Sequence, residues 1–469
     1  MTVLAIDLDD AALALLPAAD DHAPEAEPVI AASIVRAVAG VGAGAAAPVG
    51  APAAAELRRH PTEISTRHWL RLATHEGNAA AAAALACAEL RQRLAALPGA
   101  ARGATRSADV CVPPHLDAVA LSWALGALRG AGLEPRRLVD SAALRCAALG
   151  LARDALVLDV GLHHVAVSRV VSGPDGHRRT THRWRAGAGS LALQDAWLAL
   201  AAEAMVLRHR FDPLHDGATE QCLYDALPAA AATAATQGSA TLGLMRGGQQ
   251  LEIELTRDQF AARAAPVYRE LMTLLHSLRP AGAPLALLVD ARVAAWPGLV
   301  EQLDELHGCV LHVVASGTNV RALRSLLAAA PVAASTTAGA VRLQRQVAKA
   351  ATPLPAAAPP RILGSQSARA TPPTHVLYAG RAWPLRGTVV EIGRSPDSRG
   401  IALPDGTAGV SRLHCSLRDE AGEIVLVDHS RYGSWVNGER VAARVRLRAG
   451  DTLRVGDPGV DLALIAVAG

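Results

Sequence analysis

The residues best suited to chemistry gather in the last hundred positions. Arg394 follows Gly393 at the end of an apolar run, Ser411 and Arg412 open the run SRLH, and Ser430, Arg431 and Tyr432 precede Gly433. Guanidinium groups beside hydroxyl donors are what a phosphate dianion needs, since charge-assisted hydrogen bonds contribute about 1.5–3 kcal/mol each. Arg412 and Arg431 read equally well as pocket rim or as solvated face. His414 reads as a hydrogen-bonded structural histidine. A second set lies far upstream, where Asp7 and Asp159 close the runs VLAID and ALVLD, with Gly161 just beyond the second. Strand-end aspartates commonly cap the next turn, which is one reading of both. The neighbours His163 and His164 would point to opposite faces of a strand and so would not share one ion. The six cysteines are widely spaced, without a zinc or redox pattern, and read as reduced core thiols.

These residues need elements to position them. From Thr374 onward, strand-like runs recur about every ten residues: HVLYAG, TVVEIGR, GIALPD, VSRLHCSL, EIVLVDHS, YGSWVNGERV, DTLRVGD and DLALIAVA. Glycine, asparagine and aspartate punctuate them, the pattern of an all-β sandwich, and Asn437-Gly438 is a two-residue hairpin signal. Loops at one end of a sandwich lie together, so Arg394, Ser411 and the stretch 430–432 are predicted to converge. The charge would be local, because the region holds 12 arginines against 11 acids. Residues 1–330 alternate β-like runs with Ala/Leu/Arg helical stretches, as an α/β domain does. Residues 331–373, rich in Ala, Pro, Ser and Thr, read as a linker. No internal sequence repeat is visible.

In order and spacing, IGRSPDSRGIALPD, VSRLHCSL, DHSRYGSWVNG and LRAGDTLRVG resemble successive motifs of forkhead-associated (FHA) domains. The resemblance implies a sandwich over 374–469 that binds phosphothreonine on partner proteins. It implies that Arg394 and Ser411 hold the phosphate, that His414 braces the loop, that Gly393 and Gly433 shape the turns, and that Asn437-Gly438 forms the family's hairpin. Many members carry asparagine, contacting the peptide backbone, where this chain has Tyr432; Ser434 replaces a usual threonine.

The first 330 residues resemble a diverged ATPase domain of the seventy-kilodalton heat-shock chaperones, in the actin-like superfamily. VLAIDLDD, DVCVPPHL, ALVLDVGLHHVAVS, IELTRDQF and LALLVDARVAAWPGL fall in the family's order. The resemblance implies a two-lobed fold with three loops facing a nucleotide, and Asp7, Asp159 and Gly161 as what is left of a nucleotide and magnesium site. The loops depart from the pattern. Asp9, Asp10 and Ala11 replace glycine and hydroxyl residues; Leu162, His163 and His164 stand for Gly-Gly-Thr; Asp290, Ala291 and Arg292 stand for Gly-Gly-Ser. Glycines there would let backbone N–H groups approach phosphate, and carboxylates would repel it. The only lysine, Lys349, lies outside the domain.

Composition narrows the rest. A net charge of +3 and 3% aromatic residues argue against nucleic acid as a partner. The uncharged stretch 37–55 is broken by glycine and proline, so no membrane span is expected, and the acidic start MTVLAIDLDD points to the cytoplasm. The expected protein is a non-enzymatic adaptor whose FHA domain docks on the product of a serine/threonine kinase, with no firm cofactor. The alternative is an ATP- and magnesium-binding chaperone-like ATPase recruited to phosphoproteins; a filament-forming protein ranks third.

Overall fold

The computed structural model describes residues 3–17, 27–36, 48–97, 106–279, 285–306, 308–328, 341–364, 372–397, 400–404, 406–407, 409–420, 422–436, 439–441, 443–457 and 459–466. The chain divides into two compact units, and the division falls between Gly364 and Ser365.

The first unit is built on two mixed sheets. Their central strands are apolar runs buried on both faces, such as Leu156, Val157 and Leu158, or Leu285 to Val289, as expected where helices cover both sides of a sheet. In one sheet Val3–Asp7, Leu13–Leu16 and Val29–Ala31 form an antiparallel meander, and Arg106–Val112 then Leu133–Asp140 extend it in parallel from the first strand. In the other, Ala155–Val160, His164–Gly173 and Gly176–Ala186 form the meander, and Leu285–Asp290 then Cys309–Val314 extend it in the same way. Both sheets thus share the strand order third, second, first, fourth, fifth. The repeat absent from the sequence is present in the topology, because strand order needs only matching apolar runs, not matching residues.

Each fifth strand leads to a helix, Ser141–Ala148 in one half and Thr318–Ala328 in the other, and the two helices touch. Asp140 caps the first of them by accepting a bond from Ala143 N–H at 3.1 Å. The helix Ser190–His209 is long and apolar enough to cross a membrane. It buries Leu193, Trp197, Ala201 and Met205 in the core of the second half, and Trp197 Nε1 donates to Phe260 O. Cys111, Cys146, Cys309 and Cys415 are buried free thiols as expected; Cys222 is exposed and Cys87 half-buried, each on a helix only one side of which is packed.

The expected linker begins too early. Leu343–Gln344 pairs with Leu133–Asp140 in the first sheet, Gln346–Val347 pairs with Gly176–Ala186 in the second, and Arg361–Ile362 pairs with Cys309–Val314. With only Arg345 between the first two strands, this strap ties the sheets edge to edge. Prolines and alanines in it read as an extended spacer, but an extended chain is also what an open sheet edge accepts.

The second unit is a sandwich of two antiparallel-rich sheets. One runs Arg381–Pro384, His375–Tyr378, Val460–Ile465, Thr452–Val455, Ser434–Val436, Glu439–Arg440; the other runs Ile401–Ala402, Val389–Gly393, Cys415–Glu420, Glu423–Asp428, Arg444–Arg446. Alternate residues from both, including Val376, Ile392, Leu417, Leu426, Leu453 and Leu462, fill the core. Arg381–Pro384 and Arg444–Arg446 are additional to the expected strands. Asn437 and Gly438 lie outside the described residues; the strands flanking them pair with Val436 opposite Glu439.

Candidate functional site

At one end of the sandwich three loops are stitched together by backbone bonds. Arg394 N–H donates to Ser411 O at 3.1 Å, and Ser395 N–H to Arg412 O at 2.9 Å. Gly393 is required here, because a Cβ at that position would lie 2.1 Å from Arg412 O. The third loop joins through the side chain of Ser411, whose Oγ accepts from Arg431 N–H at 3.4 Å. That bond uses an oxygen lone pair and leaves the hydroxyl proton free to donate.

His414 holds the loops together. Its Nδ1 accepts from Ser411 N–H at 3.1 Å and its Nε2–H donates to Gly433 O at 2.8 Å, so the ring is neutral with one defined tautomer. Burial pushes its pKa below the ordinary histidine value, although the bond to Gly433 and the charge of Asp428 oppose this. The next turn is fixed by Asp428 Oδ1, which accepts from Ser430 N–H and Ser434 Oγ–H, and by Ser430 Oγ, which accepts from Gly433 N–H at 2.7 Å. Ser434 thus does the work of the longer threonine, and Ser430 is partly engaged in shaping its own loop. Gly433 has φ 97°, a left-handed value that glycine adopts without strain.

Arg394, Arg412, Arg431 and Tyr432 all project as exposed residues around this junction. Among the described residues none of the three arginines has a carboxylate within ion-pair distance, whereas Arg444, Arg446 and Arg454 of the same unit pair with Glu420, Glu423 and Asp461. The structure thus brings the loops of Arg394, Ser411 and Arg431 together at one end of the sandwich. Sequence reasoning missed Arg440, whose guanidinium rests over the Trp435 ring, 5.9 Å from its centroid, and against Gly433.

The strand-end acids of the first unit meet a different environment. Asp7 Oδ2 accepts from Asn319 Nδ2 at 2.8 Å, and Asp159 Oδ1 accepts from Arg145 Nη1 at 2.7 Å. Burial pushes the Asp7 carboxyl up to about 6, with Arg145 and Asn319 offsetting part of the rise. Arg145, 6% exposed, stays charged despite burial because Asp159, Asp7, Asp290 and Asp9 surround it. The three loops that the resemblance assigns to a nucleotide bond to one another. Asp10 Oδ1 of the first accepts from Leu162 N–H of the second at 2.9 Å; Arg292 of the third donates to Ala11 O at 2.9 Å and pairs with Asp9 at 3.3 Å. Gly161 serves this packing, since a Cβ there would collide with the His164 ring and with Asp10 Oδ1. Arg179 adds a further clasp to Asp140 across the two sheets.

His163 and His164 point apart, although only His164 lies in the strand, which begins there, and His163 sits in the bend before it. His163 Nε2 is 2.8 Å from Thr66 Oγ1, while His164 is buried 4.0 Å from the His115 ring and flanked by Trp184. Among the described residues no group of three or more His, Cys, Asp or Glu is placed to hold a metal ion. Arg145 escaped sequence reasoning because it lies in an unremarkable helical stretch, and only folding surrounds it with four acids.

The family model of the FHA domain matches residues 390–456, which include all three loops of the sandwich rim. The C-terminal module is therefore an FHA domain, a class that binds phosphothreonine-containing proteins. No curated protein matches the chain.

Proposed function

We propose that this protein is a phosphothreonine-dependent adaptor: Arg394 and the Ser411 hydroxyl hold the phosphate, and the larger unit is a pseudo-ATPase body that holds another partner. The single observation that carries the phosphate pocket is the junction at Ser411, whose carbonyl accepts from Arg394 N–H and whose hydroxyl accepts from Arg431 N–H, while among the described residues neither guanidinium is paired with an acid. Arg412, Arg431 and Tyr432 line the path of the peptide, with Tyr432 in place of a backbone-gripping asparagine. The duplicated strand order supports an actin-like reading of the body, and the loops bonded to each other support its being inactive. On this reading a serine/threonine kinase supplies the docking site, in the cytoplasm, and nucleic acid takes no part. Calorimetric titration of a threonine peptide, phosphorylated and not, tests it; equal affinity for the two peptides would defeat it.

One observation favours a second reading, ATP-dependent recruitment. Asp7 and Asp159 close the first strands of the two matching sheets and both face Arg145, so a cation already sits between equivalent acids. An ATP and magnesium site in which Arg145 swings aside predicts a rise of several degrees in melting temperature with millimolar nucleotide. An unchanged melting temperature leaves the adaptor.

A further inference from the structure

The rim of the FHA domain carries more positive charge than one phosphate needs. Arg394, Arg412, Arg431 and Arg440 are exposed around the joined loops, and none has a carboxylate partner among the described residues. The acid built into this junction is Asp428, which is spent on Ser430 N–H and the Ser434 hydroxyl. Four guanidiniums gather at this junction, and a phosphothreonine brings only about two negative charges at neutral pH. Elsewhere on the same sandwich Arg444, Arg446 and Arg454 are paired with Glu420, Glu423 and Asp461, while Arg381 rests over Trp383 and Arg418 donates to Ser416 Oγ.

Arg440 differs from the other three in being held. Its side chain packs between the Trp435 ring and the bare face of Gly433, where a Cβ would approach Nε to 2.8 Å. A long side chain pinned by an aromatic face and a glycine loses less freedom on meeting a ligand than a free one. Its contact with Gly433 places it against the turn whose Gly433 O is tied to His414 and whose Arg431 N–H reaches back to Ser411.

We infer that Arg440, with Arg431 beside it, forms a second anion subsite, so that the preferred ligand is a phosphothreonine peptide bearing another negative group, a carboxylate or a second phosphate, within a few residues. This deepens the phosphothreonine reading and rests on it. The subsite fixes which phosphorylated threonines are bound, whereas Arg394 and Ser411 require only that one be present.

The test uses the full chain and fluorescein-labelled peptides read by anisotropy at fixed ionic strength. One series has a phosphothreonine flanked by neutral residues; a second places a single glutamate at each neighbouring position in turn; a third replaces that glutamate with phosphoserine. An acidic group at one or more positions is expected to raise affinity about five- to tenfold, and phosphoserine to exceed glutamate there. Arg440→Gln is expected to bring that gain below twofold and Arg440→Lys to keep part of it, whereas Arg394→Ala weakens neutral and acidic peptides by the same factor. Gains below twofold at every position, or an equal loss for both peptides in Arg440→Gln, overturn the second subsite while the phosphate pocket stands. If no phosphorylated peptide outbinds its unphosphorylated twin, the pocket falls, and the subsite with it.

Discussion

Arginine is used in opposite ways in the two units. Around the FHA rim the guanidiniums of Arg394, Arg412 and Arg431 face solvent with no carboxylate beside them among the described residues, and their loops are ordered by backbone bonds and by His414. In the body the guanidiniums of Arg145, Arg179 and Arg292 are buried or half-buried and already bonded to Asp159, Asp140, Asp9 and Asp290. A charge that is solvated in the free protein remains available to an incoming anion; one already paired stabilises the fold. The same residue type therefore reports binding at one place and architecture at the other.

The sharpest way to break this comparison is Arg145→Ala. Removing one partner of a largely buried pair leaves Asp159 and Asp7 charged without compensation, so the body is expected to lose about 4 kcal/mol in urea unfolding. A loss under about 1 kcal/mol would mean that the crevice arginine is as dispensable as a surface one.

Asp7 gives a pH signature of the same crevice. Burial raises its carboxyl from 3.8 to about 6, so between those values the folded body holds a proton that the unfolded chain has released. Its contribution is complete below about pH 4 and is lost as pH rises through 6, a change worth about 3 kcal/mol. Glu89 acts in the other direction and lower down: burial pushes it up, but His68, Arg93 and Ser33 outweigh that and hold it at about 2. Its stabilisation is present above about 4.5 and is lost as pH falls towards 2. Between about 4.5 and 7 Asp9, which burial pushes up to about 7, titrates with Asp7, and buried histidines such as His163 titrate in the opposite sense, so the comparison with Asp7→Asn is what isolates Asp7. The wild-type denaturant midpoint minus that of Asp7→Asn should fall as pH rises across that window.

At the rim the expectation reverses. Arg394→Ala should change unfolding free energy by less than about 0.5 kcal/mol, as for an unpaired surface residue, yet weaken the phosphopeptide about 30-fold. Arg412→Ala should cost about threefold in affinity, a loss that shrinks at high salt because the residue stands at the solvated margin. Comparable losses for the two would erase the distinction between pocket and rim.

The sequence was most legible where chemistry depends on local order. The sandwich strands, the grouping of Arg394, Ser411 and Arg431, and the bracing role of His414 follow from runs and turn residues whose spacing is set by a repeating hairpin. Tyr432 and Ser434 were visible as departures for the same reason, and the exposure of Tyr432 could be expected from its place in a turn. Harder to read was the segment 341–364, whose composition suits a spacer but whose backbone completes the edges of two sheets.

What the sequence determined by itself was the identity of each element and the charge available to it, since periodicity and turn chemistry act over a few residues. What only the tertiary structure decided was which charges would be cancelled. Arg145 and Asp159 are 14 residues apart and Arg292 and Asp9 are 283 apart, whereas Arg394 has no such partner among the described residues. The energy of an ion depends on the water and counter-charge around it. Those are set by how distant segments pack.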